Sequence, residues 1–191
     1  MKKASTTARS TKIALAHFKK ATREPVEQLK FYIDPDNVKK FYVMIHHAGG
    51  NDDEYQDGEY IARIELPEDF PFSPPSFYFM TPTGLYAVEK KVCISIGEYH
   101  KDEYRAALGL LGFTKELLNG LIGWKEMGGG INLAKPKISE LKSCAKSSVE
   151  YNTKHNAALR TNINECFELY SAKWKLDVDA IDQGYRARLG L

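Results

Sequence analysis

The sequence predicts an α+β fold in which the strands and most of the helices occupy separate stretches of the chain. Apolar residues alternate with a period of two between residues 26 and 80, whereas the flanking stretches follow the helical period. The turns within the alternating region are too short to contain crossover helices, so we expect an antiparallel meander. With 191 residues, 43% of them hydrophobic, the chain suits a single packed domain.

The first elements are one helix and four strands. The helix is predicted over residues 6–23 and ends before Pro25. Its packing stripe is expected to consist of Thr11, Leu15, Phe18 and Thr22. The strands are predicted over residues 26–33, 38–48, 59–66 and 76–80. A long segment rich in turn-forming residues then extends from residue 81 to residue 104.

Three more helices are predicted after this segment. The first covers residues 114–127 and ends at three consecutive glycines. Apolar residues recur at helical spacing over 138–149 and again over 159–170. Residues 173–191 have only a weak pattern, so we expect a core over residues 1–172 followed by a weakly patterned tail over 173–191.

Composition excludes several functional classes. The 27 Lys and Arg nearly balance the 25 Asp and Glu, which disfavours non-specific nucleic-acid binding. The longest nearly uncharged apolar run, residues 106–113, is well short of the roughly 20 residues of a membrane span, and the N-terminus has no signal-peptide pattern. Three cysteines without a CxxC pair predict neither a disulfide framework nor a structural zinc site. We expect a cytoplasmic or nuclear protein without a metal.

The segment that can carry chemistry follows the third predicted strand. It contains Phe-Pro-Phe-Ser-Pro-Pro at residues 70–75, Thr-Pro-Thr-Gly at 81–84 and Cys-Ile-Ser-Ile at 93–96. Prolines make such a path rigid, which is useful where one side chain must be presented accurately. A free cysteine is most often a small buried hydrophobe, and Cys144 and Cys166 lie on apolar helical stripes where that reading holds.

This ordered set of motifs resembles the ubiquitin-conjugating enzymes over residues 8–124 and onward to about residue 170. It is most similar to the divergent J-type branch, which has Thr-Pro-Asn-Gly where most members have His-Pro-Asn. The gap of ten residues from Thr83 to Cys93 matches that branch, and residues 99–104 resemble its His-Pro-Asp-x-Trp motif. The branch is membrane-anchored, whereas no apolar run of that length occurs in this sequence. We therefore expect either a relative without an anchor or a sequence from which the anchor has been removed.

The resemblance implies the ubiquitin-conjugating fold and a catalytic role for Cys93 as the thiol that carries ubiquitin or a related modifier as a thioester. Thr83 replaces the family's Asn, which steadies the loop and the oxyanion. Either Thr83 substitutes in part, a backbone N–H supplies the donor, or aminolysis is slow. An acceptor amine must lose its proton near Cys93, which usually calls for an acidic neighbour. The candidates are His100, Asp102 and Glu126, each of which can equally be an ordinary exposed polar residue.

The resemblance also implies partner surfaces. Phe72 matches the phenylalanine that contacts RING-type ligases, although a core aromatic is the alternative. Ala106 and Ala107 stand where the second ligase loop usually carries a proline, and Tyr104 stands where a tryptophan is common. The helix face that engages the ubiquitin-activating enzyme corresponds to Arg9, Lys12, Lys19 and Lys20. A HECT-type ligase is a further partner, and ATP is consumed by the activating enzyme, so no cofactor is expected in this chain.

Three other functions compete with a modifier carrier. The first is a catalytically weak or inactive scaffold of the same fold, for which Thr83 is the best support. The second is a cysteine hydrolase that pairs Cys93 with His46, His47 or His100; the extended reading of residues 93–96 disfavours it, since such nucleophiles usually begin a helix. The third is nucleic-acid binding, which the short basic stripe without interleaved aromatics disfavours.

Overall fold

The computed structural model describes residues 2–23, 25, 28–46, 48, 54–92, 104–123 and 136–189, with side chains over 9–173 of that set. Within this part of the chain an N-terminal helix precedes a four-stranded antiparallel sheet, and further helices follow. The elements are α1 (Lys2–Arg23), β1 (Leu29–Ile33), β2 (Lys40–His46), β3 (Glu59–Glu65), β4 (Ser76–Phe79), a short 3-10 helix (Ala106–Leu108), α2 (Gly109–Ile122), α3 (Ile138–His155) and α4 (Ala157–Leu189). The predicted α+β class and the meander are therefore confirmed.

The sheet has the strand order β1-β2-β3-β4. Phe41 pairs with Ile33 on one side and with Ile64 on the other, and Ile64 pairs with Phe77. Paired residues on neighbouring strands lie on the same face of the sheet, and this face forms the main core with residues of α1, α2 and α3. Met44 and Ile61 point to the opposite face, which packs against α4.

The first helix packs through a different stripe from the one predicted. Leu15 is 45% exposed, whereas Ser10, Ala14 and Ala21 are buried. These three residues recur at intervals of four and seven, so they share one helix face. Their small side chains let α1 lie close to its neighbours α2, α4 and β1. The prediction of a stripe containing Leu15 is wrong because it followed the larger apolar side chains.

The later helices begin or end elsewhere than predicted. The start of α2 is Gly109, five residues before the predicted start, and Leu117 and Leu121 are on its buried face. The amide N–H of Lys137 donates to the Glu140 carboxylate at 3.3 Å, which caps the start of α3. The backbone of α4 continues as helix to Leu189 through the weakly patterned residues after 173.

The last helix is attached to the edge strand β1. The backbone N–H of Phe31 donates to the hydroxyl of Tyr170 at 3.0 Å, and the ammonium of Lys30 donates to Asn164 at 2.9 Å. The same ammonium lies 5.1 Å from the centroid of the Phe167 ring. Burial raises the pKa of Tyr170 above its usual value, so the hydroxyl stays protonated. These contacts fix α4 across the second face of the sheet.

Candidate active site

The segment that leads to Cys93 returns along β4. The N–H of Glu89 donates to the carbonyl of Phe79 at 2.8 Å, and the N–H of Val92 donates to the carbonyl of Phe77 at 2.8 Å. Val92 is 3% exposed, so its side chain is anchored in the core. Cys93 is the next residue in the chain and lies outside the described residues. The chain therefore reaches the candidate nucleophile from a position hydrogen-bonded to β4.

Thr83 organises the turn in the middle of this segment. Its side chain is fully buried, and its Oγ1 accepts hydrogen bonds from the N–H groups of Leu85 at 3.2 Å and Tyr86 at 2.9 Å. Gly84 has a φ of +76°, a left-handed conformation that glycine adopts without a steric penalty. A Cβ on Gly84 would lie 3.0 Å from Leu141 of α3, so this helix packs closely on the turn.

The turn is also tied to α2. The hydroxyl of Tyr86 donates to the carbonyl of Gly120 at 3.0 Å. The Tyr86 ring stacks on Phe79, with centroids 5.4 Å apart. Residues 83–86 are consequently held between β4, α2 and α3, a rigid environment for a loop that precedes a nucleophile.

A polar cluster that is buried at Glu59, Thr81 and Asn152 contacts the start of this loop, and it was not predicted from the sequence. We call it the Asn152 cluster; its members are Glu59, Thr81, Asn152, Asn156 and Arg160. The guanidinium of Arg160 donates to both carboxylate oxygens of Glu59, at 2.7 and 2.9 Å. Asn152 is fully buried, and its amide donates to the carbonyl of Glu59 at 2.9 Å and to the Glu59 carboxylate at 3.1 Å. The available signal was a polar residue at every fourth position from Ser148 to Arg160.

The two predicted ligase-contact loops are joined by one hydrogen bond. The hydroxyl of Tyr104 donates to the carbonyl of Pro71 at 3.2 Å, and burial raises the pKa of Tyr104 to about 12. Phe72 is 72% exposed, so the alternative of a core aromatic is wrong. Ala106 is half-buried and Ala107 is exposed, and both lie on the 3-10 helix.

The predicted activating-enzyme residues Arg9, Lys12, Lys19 and Lys20 are all exposed. At 100° per residue they fall within one arc of α1, roughly opposite the buried face. Lys20 and Ala107 line a common groove of about 670 Å³ between α1 and the start of α2, together with His17 and Lys115. The structure therefore brings residues from the two predicted partner surfaces together.

The other two cysteines differ from an activated thiol. Cys144 and Cys166 are half-buried, and burial raises the pKa of both thiols above the usual value. A raised pKa lowers the thiolate fraction at neutral pH, so both remain packed thiols as predicted.

Several predicted site residues lie outside the part of the chain that the structure describes. They are Cys93, His100, Asp102 and Glu126, together with His47 of the hydrolase alternative. Over the described ranges, no group of three or more His, Cys, Asp or Glu side chains is arranged to hold a metal ion. None of the helices there is both long enough and apolar enough to cross a membrane.

An α+β protein with a meander, residues of α1, α2 and α3 in its main core and a cysteine directly after the return along β4 defines a class of cysteine-bearing domain rather than one activity. Comparison with known proteins identifies the family within this class. Residues 14–110 match the family model described as "Ubiquitin-conjugating enzyme". The chain therefore belongs to the ubiquitin-conjugating enzyme family, and the resemblance predicted from its motifs is confirmed.

Two curated relatives and one solved structure give the degree of similarity. The chain is 38% identical over 95 residues to ubiquitin-conjugating enzyme E2 32 of Arabidopsis thaliana, which covers 46% of this chain and 30% of the relative. It is 29% identical over 123 residues to ubiquitin-conjugating enzyme E2 J2 of Bos taurus, covering 61% and 46%. The structure of human ubiquitin-conjugating enzyme E2 G1 superposes with a TM-score of 0.51 at 24% identity, covering 59% of this chain and 94% of that one, which shows the shared fold. The chain thus spans less than half of the length of these two curated relatives.

Proposed function

We propose that this protein accepts ubiquitin or a ubiquitin-like modifier from an activating enzyme as a thioester on Cys93 and then transfers it to a substrate amine or a ligase cysteine. The observation that carries the proposal is the return of residues 80–92 along β4. It holds Val92, the residue before Cys93, by a backbone hydrogen bond to Phe77. Family membership supplies the chemistry that this arrangement supports.

In the loading step, the Cys93 thiolate attacks the carbonyl carbon of the modifier's thioester on the activating enzyme. A new C–S bond forms while the old one breaks, and the cysteine of the activating enzyme leaves as a thiolate. This exchange needs a reactive thiolate and no net proton transfer, because both the attacking group and the leaving group are thiolates. ATP is used by the activating enzyme, and we propose a cytoplasmic or nuclear site for the reaction.

In the discharge step, the acceptor amine attacks the thioester carbonyl. A C–N bond forms, the C–S bond breaks, Cys93 leaves as a thiolate, and the amine proton passes to a base or to water. His100, Asp102 and Glu126 are the proposed proton acceptors. We assign Thr83 a positioning role, because its Oγ1 is engaged as the acceptor of two backbone N–H groups.

A loading assay tests the proposal. The protein is incubated with activating enzyme, ATP and ubiquitin, and a non-reducing gel is run. We expect a thiol-sensitive adduct that is lost in Cys93→Ala and retained in the matched variants Cys144→Ala and Cys166→Ala. Absence of the adduct with every modifier tested would contradict a carrier and support the scaffold alternative. Hydrolysis of an isopeptide substrate without ATP would instead support the hydrolase.

The partner surfaces are tested separately. Charge reversal at Lys12 and Lys20, on the exposed face of α1, is expected to slow loading and to leave discharge of preloaded protein unchanged. Equal loading rates before and after reversal would remove this face from the proposed contact with the activating enzyme.

A free-lysine discharge series with Thr83→Asn tests whether the threonine at this position limits aminolysis. An unchanged discharge rate would mean that it does not.

A further inference from the structure

Asn152 of α3 uses its full hydrogen-bonding capacity inside the Asn152 cluster. Its Oδ1 accepts from the hydroxyl of Thr81 at 2.6 Å and from the side-chain amide of Asn156 at 2.9 Å. Its Nδ2 donates twice to Glu59. A carboxamide offers two lone pairs and two N–H groups, so each is satisfied. Asn152 is buried and lies 71 residues from Thr81 in the sequence. Because hydrogen bonds are directional, this fully paired carboxamide fixes the orientation of its partners as well as their distance.

The Asn152 cluster contacts the first residues of the loop that precedes Cys93. The Thr81 hydroxyl lies between β3 and α3, because it accepts from the N–H of Ile61 at 2.9 Å while donating to Asn152. The neighbouring carbonyl of Met80 accepts from the side-chain amide of Asn156 at 3.1 Å. The start of the loop is thus hydrogen-bonded to the junction of α3 and α4.

The same helix also contacts the loop three residues further on. Gly84, in the turn organised by Thr83, packs against Leu141 in the first turn of α3. Helix α3 therefore holds residues 81–84 at both ends, by directional hydrogen bonds at Thr81 and by close packing at Gly84. Apolar packing alone permits sliding of a fraction of an ångström, whereas the hydrogen bonds to Asn152 fix the register of the loop on the helix.

We propose that Asn152 is a positioning residue for transfer of the modifier from Cys93, acting through Thr81 on the turn formed by Thr83 and Gly84. The inference rests on the proposed carrier function. Discharge requires the acceptor amine and the thioester carbonyl to meet in a narrow range of geometries, so a small displacement of this turn costs rate. Loading by thiol exchange is less demanding in this respect and is expected to survive the same displacement.

The experiment compares loading with single-turnover discharge to free lysine. Asn152→Ala and Thr81→Val are expected to load at the rate of the unsubstituted protein and to discharge about 10- to 100-fold more slowly. The maximal rate falls, while the lysine concentration that gives half of it stays the same. Thr81→Ser keeps the hydroxyl and is expected to restore discharge to within about twofold.

Ser148→Ala is the matched control. Ser148 is 1% exposed on the same face of α3 and accepts from the backbone N–H of Glu59 at 2.9 Å, and it makes no hydrogen bond to residues 80–84. Its loss therefore disturbs the contact of α3 with β3 without touching the loop. Discharge by Ser148→Ala is expected to match that of the unsubstituted protein at a temperature where thermal melts show all variants folded.

The results distinguish a positioning role of Asn152 from a contribution to stability alone. Unchanged discharge in both Asn152→Ala and Thr81→Val overturns the inference and leaves the carrier function standing. A loss in Ser148→Ala as large as that in Asn152→Ala also overturns it, because general loosening of α3 would then be the cause. If Asn152→Ala fails to fold, the comparison of Thr81→Val with Thr81→Ser decides. Absence of loading on the unsubstituted protein overturns both proposals together.

Discussion

Arg160 and Glu59 form a bidentate ion pair across 101 residues of sequence, with one N–O distance of 2.7 Å and the other of 2.9 Å. The Glu59 side chain is 3% exposed and that of Arg160 is 33% exposed. The hydrogen bond to Glu59 is the main cause that raises the pKa of Arg160 above its usual value. The pair therefore joins the first turn of α4 to the start of β3 from a position only partly accessible to water.

Removal of this guanidinium should destabilise the fold. Arg160→Ala leaves a buried carboxylate with fewer partners, and we expect a loss of about 2 kcal/mol in the free energy of unfolding, less than for a fully buried pair because water reaches Arg160. Arg160→Lys keeps the charge and loses the two-pronged geometry, so an intermediate loss is expected. Urea unfolding measures both, and equal stability of all three proteins would contradict a role for this pair.

The hydroxyl of Thr83 should matter to the fold independently of catalysis. Thr83→Val has nearly the same shape but deprives the buried N–H groups of Leu85 and Tyr86 of their acceptor, which is expected to cost about 1–3 kcal/mol. Thr83→Ser keeps the acceptor and should lose less than about 1 kcal/mol. The midpoint of chemical unfolding distinguishes the two, and a valine variant as stable as the serine variant would show that these hydrogen bonds are dispensable.

His17 should make the fold sensitive to mild acid. Burial, with a smaller contribution from Lys20, lowers the pKa of His17 below 6.5, and its Nδ1 is buried without a hydrogen-bond partner among the described residues. Near pH 6.5 the unfolded chain therefore binds a proton at His17 that the folded chain does not bind. The stability that the neutral His17 side chain contributes above this pH is lost as the pH falls toward its pKa in the folded state. Lys115 on α2 and Arg23 on α1 line the same groove as His17 and Lys20.

The measurement is the unfolding free energy of the natural protein and of His17→Gln between about pH 7.5 and 5.5. The natural protein should lose more stability on acidification than the variant, which has no titrating group at this position. Parallel curves for the two proteins would show that another group causes the acid sensitivity.

Phe72 and Phe70 should behave in opposite ways although both flank Pro71. Phe72 is 72% exposed, so Phe72→Ala is expected to change stability by less than about 0.5 kcal/mol and to reduce ligase-stimulated transfer at least about tenfold. Phe70 is 2% exposed against His17 and Phe113, so Phe70→Ala should lose about 3–5 kcal/mol of stability. Transfer with and without a RING-type ligase measures the first effect. Unchanged stimulation in Phe72→Ala would contradict a ligase contact there.

The fold class was predictable because a change of apolar period is a property of local sequence. The packing face of α1 was not, since Ala14 and Ala21 are buried by the close approach of other elements and not by their own apolar surface. The early start of α2 was also hidden, because Gly109 and Gly112 weaken the helical pattern in its first turn. The packing face of α1 thus depends on partners that are distant in sequence, whereas the start of α2 was hidden by its own glycines.

The motif of the candidate site could be predicted from the sequence, but the hydrogen bonds that hold this motif in place could not. The Thr-Pro-Thr-Gly motif and its spacing from Cys93 can be identified directly in the sequence. The role of the Thr83 hydroxyl as an acceptor cannot be identified in the sequence, because a hydroxyl can donate or accept and only the fold of the turn decides which. Asn152 would ordinarily be assigned to a solvated helix face, yet it is fully buried and paired with Glu59 at the start of β3. Asn156, half-buried between α3 and α4, donates to the carbonyl of Met80, the residue after β4.

The hydroxyl of Tyr170 has a consequence for association between molecules. The N–H of Phe31 points away from β2, so it is one of the outward groups through which an additional strand would begin to pair with the sheet. Exposed edges of this kind template aggregation, and proteins protect them by covering them. Because Tyr170 occupies this donor and α4 lies beside Lys30, the helix makes the β1 edge a poor template for a strand from another copy of the chain.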